Sequence, residues 1–423
     1  KKQTATQHIF TNKQLRTLLV PIMVEQLLSS LMGTADTMMV SNVGSAAISA
    51  VSLVDAINIL VIQALSALAA GGAILCSQYL GSQNLKKAKR SAEQVLFVML
   101  VLSCSLSLLC LIFRFPLLRL IFGTVDTDVM ANSQIYFFFT LLSFPFIGLY
   151  DAGASILRAQ NNTKGPMTIS ILSNFLNIGG NAILIFVFGM GVAGAAISTL
   201  VSRIFCAIVV IWQLRNPAEQ IYVRNYFSIR PDWSLIKRVL FIGIPSGIEN
   251  SMFQFGKLAI QSTVSTMGTA AIAAQAMTNI LENVNGIFGI GVGMCLMTVV
   301  GQCMGAGRKE EAKYYIVKLA GIAEVGIIVS CLLVLALVKP ITMLGGMEPE
   351  SAKMCIEMVG AITIAKPLVW VLSFVPAYGM RAAGDVKFSM ITSIITMWGC
   401  RVALCIALVR IFNMGPMLSL IHI

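Results

Sequence analysis

Hydrophobic stretches of about 20 residues, each long enough to cross a bilayer as a helix, recur from Leu15 to Ile411 with short polar breaks between them. The pattern predicts eleven spans, at 15–40, 46–76, 93–113, 133–157, 166–188, 190–214, 235–262, 270–300, 314–338, 354–380 and 387–411, and the start of a twelfth. Composition agrees. The 423 residues are 57% hydrophobic and only 11% charged, against about 25% charged in soluble domains. The expected class is an all-α polytopic membrane protein.

The pattern also repeats. Displaced by 224 residues, Pro21 falls on Pro245, Glu25 on Glu249, Gly44 on Gly268, Ala46-Ala47-Ile48 on Ala270-Ala271-Ile272, Gln78 on Gln302 and Gly81 on Gly305. At 223, Arg158 meets Arg381, Ala159 Ala382, Asn162 Asp385, Lys164 Lys387 and Met167 Met390. The chain is therefore expected to hold two six-helix lobes, 1–214 and 235–423, joined by a cytoplasmic linker at 215–234. Six spans return the chain to the side it left, so the duplication is parallel, about an axis along the membrane normal. The second lobe is expected to be incomplete. Its twelfth helix is truncated where the chain stops at Ile423, and the closing Leu418–Ile423 segment reads as a translated sequencing-adapter tail. The chain begins without Met, which implies a few preceding residues, and no cleavable signal peptide is visible.

A net charge of +12 would point to nucleic acid in a soluble protein, but here its placement decides the matter. Lys and Arg concentrate on alternate loops, and the poorer set holds only Arg114, Arg119, Lys339, Lys353 and Arg410. By the positive-inside rule the richer loops and the N-terminus are cytoplasmic, in the plasma (inner) membrane. Ten cysteines without a C-x-x-C pair read as buried apolar residues, and the two histidines lie near the ends, so neither disulfides nor a His-based metal or catalytic centre is expected. No phosphate-binding loop is present, which argues against a nucleotide-driven pump.

LRAQNNTKGPM (Leu157 to Met167), its echo MRAAGDVKFSM (Met380 to Met390), and Q-x-x-G ending at Gly81 and at Gly305 resemble the multidrug and toxic compound extrusion (MATE) family, in order and over essentially the whole chain. Arg158 and Lys164, like Arg381 and Lys387, read as marking tight cytoplasmic turns facing anionic headgroups, with Asn161-Asn162 and Gly384-Asp385 suited to turn geometry. Gly81 and Gly305 read as helix C-caps.

Charged side chains inside a bilayer usually face a cavity or a partner. Asp36 in the first span is the strongest candidate, and the resemblance implies that it binds the coupling cation or proton. The family's site joins this Asp to an Asn and an Asp on the fifth span and a Thr on the sixth. The positions here are Asn177, Asn181 and Thr199, and Asn181 departs from the acidic pattern. One carboxylate attracts Na⁺ less than two, while a lone desolvated Asp suits protons equally well. The further candidates, as cavity lining or a buried ion-pair network, are Glu25 and Asp151 in the first lobe and Glu249, Lys257, Glu282, Lys366 and Arg401 in the second. Glu249 and Lys257 share a helix face with Phe253 between them, and Glu282, Lys366 and Arg401 are the expected partners.

The resemblance implies a secondary active exporter that exchanges inward-moving Na⁺ or H⁺ for outward-moving organic cations or other amphipathic compounds by alternating access. It implies no enzyme activity, no cofactor beyond the coupling ion and no metal beyond Na⁺ at Asp36. A small organic substrate and the bilayer are the expected partners, and the expected form is a monomer. A flippase for lipid-linked saccharides is the alternative, kept open by Lys257, Lys366 and Arg401.

Overall fold

A computed structural model describes residues 8–123, 126–226, 229–265, 269–344 and 348–410, which are overwhelmingly helical with no strand among them. The helices are α1 (Asn12–Ser41), α2 (Ser45–Gly81), α3 (Leu85–Ile112), α4 (Arg114–Phe122), α5 (Thr127–Ala159), α6 (Lys164–Asn181) and α7 (Gly191–Leu214). They continue with α8 (Trp233–Ser265), α9 (Thr269–Gly305), α10 (Lys309–Leu344), α11 (Pro349–Ala383), α12 (Val386–Ile394) and α13 (Ala403–Arg410). Wide, π-type turns extend α6 through Ala182–Val187 and join α12 to α13 through Ile395–Val402.

The eleven predicted spans correspond in order to α1, α2, α3, α5, α6 with its π turn, α7, α8, α9, α10, α11 and α12–α13. Ten of these are long and apolar enough to cross a membrane among the described residues. The exception, α8, carries Glu249, Asn250, Gln254 and Lys257 in its middle. The stretch around Arg114 and Arg119, predicted as loop, is instead the short helix α4, whose Phe115, Leu120 and Ile121 are exposed. The predicted twelfth span falls at residues 411–423, outside the described residues.

By its internal contacts the chain divides into two compact units, Thr11–Gly247 and Ile248–Ile423, and the second also takes residues 1–10. In this division the linker and the start of α8 go with the first seven helices. In the first unit α5 is central, against α2, α3 and α7, and Phe137, Leu141 and Phe144 are fully buried in its core. Gly153 on α5 lies so close to Val210 on α7 that an added Cβ would come within 2.7 Å of it, so the helices meet only because this residue is glycine. In the second unit α9, α10 and α11 pack together over Ala274, Leu281, Val334 and Met358. The N-terminal segment docks there too: the Tyr315 hydroxyl accepts from Phe10 N at 2.9 Å and donates to Phe10 O at 2.8 Å.

Four helix ends close in the same way. After α2, α5, α9 and α11 the chain makes paired 6→1 and 5→2 hydrogen bonds, such as Asn162 N to Leu157 O and Asn161 N to Arg158 O. The left-handed residue is Gln83 (φ 56°), Asn161 (69°), Gly307 (74°) or Gly384 (100°). The polar clause is therefore a helix-terminating turn, as its Asn161 and Gly384 predicted. Gly81 and Gly305 are not the caps. They end α2 and α9 inside the helix, and the residue two places on takes the left-handed geometry.

The linker is docked on the first unit. Gln160 donates to Ile221 O at 3.3 Å and accepts from Ile221 N at 2.7 Å, so its amide copies a strand partner. Gln94 does the same with Arg230 O and Asp232 N, both at 3.0 Å. Asn162 donates to Glu219 at 2.6 Å, Lys89 lies 3.6 Å over the Tyr222 ring, and Ile221 and Val223 are buried. Asp232 caps α8 and pairs with Arg90 at 2.9 Å. The Ser234 side chain and backbone amides, with Arg90 beside them, hold its carboxyl below the usual range. A carboxyl depressed in the folded state stabilises above its unfolded pKa of about 3.9, and the contribution is lost as pH falls through the lower folded value. Asp232→Asn is therefore expected to lower the unfolding midpoint at pH 7, with the gap to the parent closing below about pH 4. A gap independent of pH would exclude the carboxylate charge as its source.

Candidate functional site

Asp36 comes from α1, Asn177 and Asn181 from successive turns of α6, and Thr199 from α7. The four form one chain of hydrogen bonds inside the first unit. Asn181 Nδ2 donates to Asp36 Oδ1 at 2.5 Å and lies 3.4 Å from Asn177 Oδ1, while Asn177 Nδ2 donates to Thr199 Oγ1 at 3.4 Å. Thr199 donates to Ala195 O, which leaves its oxygen turned to the asparagines, and Ser198 donates to the backbone of Asn177. Asn177 and Asn181 are fully buried, and Asp36 is partly exposed. The amide oxygen of Asn181, Oδ1, is buried without a hydrogen-bond partner. A buried acceptor left unpaired is costly. The arrangement thus gathers a carboxylate, amide oxygens and a hydroxyl, a donor set suited to a hard monovalent cation or a proton. No group of three His, Cys, Asp or Glu side chains that could hold a metal is found among the described residues.

Around this set lie further polar groups. Asp55 on α2 accepts from Asn58 at 3.2 Å and from the Tyr136 hydroxyl at 3.1 Å. Arg203 on α7 donates to Ser143 at 2.6 Å and is within electrostatic reach of Asp36, Asp55 and Asp151. Tyr136 and Ser143 carry no signature in the sequence, since each is one polar residue in an apolar helix.

Glu25 and Glu249 occupy equivalent places in the two repeats, and each meets the arginine of its own repeat's turn. Arg158 Nη2 reaches Glu25 Oε1 at 2.9 Å, with the Tyr150 hydroxyl donating at 3.1 Å. Arg381 Nη2 reaches Glu249 Oε1 at 2.9 Å, with Ser393 donating at 2.6 Å and Ser389 at 3.3 Å. The expectation that these arginines face the headgroups fails. A guanidinium on a long stem reaches back over the last helical turn, and both carboxylates are buried, 5% and 6% exposed. Lys164 and Lys387 are the basic residues of the clause that stay exposed. Glu249 is likewise not the partner of Glu282, Lys366 or Arg401, because Arg381 and two serines of α12 fill its hydrogen-bonding positions. Asp151, two turns before Arg158 on α5, keeps a buried carboxylate oxygen without a hydrogen bond.

Lys257, Glu282, Lys366 and Arg401 do come together in the second unit. Lys366, 1% exposed, donates to Glu282 O at 3.2 Å and lies 3.7 Å from its carboxylate. Lys257 and Arg401 flank the ring of Phe253 at 5.2 and 5.9 Å.

A MatE family model matches residues 21–183 and 245–407, two segments displaced by the same 224 residues as the internal repeat. Among curated relatives, a probable multidrug resistance protein NorM of Thermotoga maritima is 26% identical over 95% of this chain and 87% of its own. An uncharacterized transporter, YisQ of Bacillus subtilis, is 26% identical over 90% and 83%. A solved structure described as the outward-facing conformation of a multidrug resistance MATE family transporter has a TM-score of 0.90 at 18% identity, over 97% of this chain and 91% of that one. With the model matching well over half of the chain, in two copies at the spacing of its own repeat, the protein belongs to the MatE family of multi-pass membrane efflux transporters.

Proposed function

We propose that the protein is a secondary active exporter that exchanges inward-moving Na⁺ or H⁺ for outward-moving organic cations or other amphipathic drugs. The observation that carries this reading is the buried chain Asp36–Asn181–Asn177–Thr199 with an unpaired amide oxygen beside a single carboxylate. A cation bound there interacts with α1, α6 and α7 at once. It favours whichever state brings its ligands together, and only such a difference in affinity between inward-open and outward-open states couples ion to substrate. The loops richest in Lys and Arg support an N-terminus on the cytoplasmic side of the plasma membrane. The multidrug-resistance relatives support export of small organic compounds, and one chain supplies both repeats, so the working unit is a monomer.

The test is efflux of a fluorescent organic cation from proteoliposomes under separately imposed Na⁺ and proton gradients. Movement under one gradient and not the other is expected, and names the ion. Equal, leak-like movement with neither gradient would overturn the antiport mechanism.

A further inference from the structure

Three aromatic rings in the second unit join cations that the ion-coupling site does not use. The Phe253 ring on α8 packs edge-on against Phe374 on α11, at 5.6 Å and 85°. Phe374 in turn stacks on Trp370 at 4.7 Å and 18°. Lys257 and Arg401 sit at the Phe253 end, and Lys366 lies 5.4 Å over Trp370 at the other. The carboxylate whose field reaches all three cations is Glu282, and its close partner is Lys366. Lys257 and Arg401 are left as an excess of two positive charges.

Among the described residues, neither of these two cations finds a carboxylate partner within ion-pair distance. Arg401 Nη1 has only the Met397 sulfur at 4.0 Å, and its Nε is buried without a hydrogen-bond partner. Lys257 is exposed, and among the described residues its ammonium meets a ring face and no carboxylate. A ring's negative face attracts a cation more weakly than a carboxylate does. Phe253 and Phe374 are only partly buried, so flat apolar surface adjoins the unpaired cations. An anionic group satisfies Lys257 and Arg401, and an attached ring gains offset or edge-on contacts with the phenylalanines. A wholly cationic ligand meets net repulsion there.

We propose that the Phe253–Phe374–Trp370 stack with Lys257 and Arg401 is a binding site for the anionic end of an aromatic compound, a planar ring system bearing a carboxylate or a like acid. This rests on the exporter reading only in calling the ligand a transported substrate, since the site itself lies in one unit.

Equilibrium dialysis on the full chain in lipid nanodiscs, with no gradient, tests it using 1-naphthoate, the neutral 1-naphthamide and the aliphatic decanoate. Naphthoate is expected to bind at least about tenfold more tightly than either control. Lys257→Gln and Arg401→Gln are each expected to weaken naphthoate about tenfold, Lys257→Arg to retain it, and Phe253→Leu to abolish the preference over decanoate. Lys257 is exposed and its replacement leaves the packing intact, so a folding defect in Arg401→Gln does not void the result. Equal binding of naphthamide would overturn the anionic requirement, equal or tighter binding of decanoate the aromatic one, and indifference to Lys257→Gln the assignment of the site. Because no gradient is applied, loss of ion-coupled efflux leaves this measurement unchanged, and the two readings fail separately.

Discussion

Arg381→Met is expected to destabilise the second unit by about 3–5 kcal/mol, the usual cost of stripping one partner from a buried ion pair. Glu249 is 6% exposed and Arg381 8%. Without the guanidinium, the carboxylate keeps only the Ser389 and Ser393 hydroxyls in a medium where an unpaired charge is expensive. The double variant Glu249→Gln/Arg381→Met removes both charges and is expected to recover most of the loss, since replacing a whole buried pair is often neutral. Arg158→Met and Glu25→Gln/Arg158→Met are expected to behave alike, with Tyr150 in the place of the serines. The check is a double-mutant cycle on unfolding midpoints in detergent. If each double variant is as unstable as the sum of its singles, the arginines and glutamates are not coupled, and the pairing does not hold the turns to the first helix of each repeat.

Asp36→Asn is expected to reduce gradient-driven efflux severely while leaving the fold in place. The substitution is nearly isosteric, and its amide oxygen can still accept from Asn181, so the hydrogen-bonded chain survives without its charge. What is lost is the only carboxylate in the set, and with it the differential binding that drives exchange. Coupling free energies of about 1–3 kcal/mol correspond to 5–150-fold effects, so substrate accumulation against its gradient should fall by a factor in that range. Asn181→Asp supplies the opposite test. A second carboxylate beside the first strengthens attraction for Na⁺, so efflux should become more dependent on sodium. Transport by Asp36→Asn at the parent's rate and with the parent's ion dependence would remove the coupling role of this site.

The spans and their order were legible in the sequence because lipid imposes a minimum apolar length on each, and the turns were legible because Asn161 and Gly384 tolerate a left-handed backbone. The Asp36 set was legible through the family's motifs, since its residues lie 145 and 163 positions apart on three helices and no periodicity connects them. The inward reach of Arg158 and Arg381 was not. Counting charges per loop assigns a residue to a side of the membrane, but a long arginine side chain at a helix end can reach away from that side. For the same reason Glu249 was matched with the wrong cations: helical spacing fixes its face, while its partners on α11 and α12 are a matter of packing. The Phe253–Phe374–Trp370 stack was hidden in a different way, among aromatic residues indistinguishable in sequence from those that meet lipid.

Gln94 and Gln160 grip the linker by its peptide groups, and a peptide group is the same whatever residue carries it. The path of residues 215–226 and 229–232 is therefore held partly by contacts that do not read their side chains. Exposed positions such as Arg224 and Arg230 are free to drift through evolution while the chain's route between the repeats is inherited unchanged. Related chains are expected to keep the two amides and vary the segment they hold, so that the connection is recorded in residues far from it.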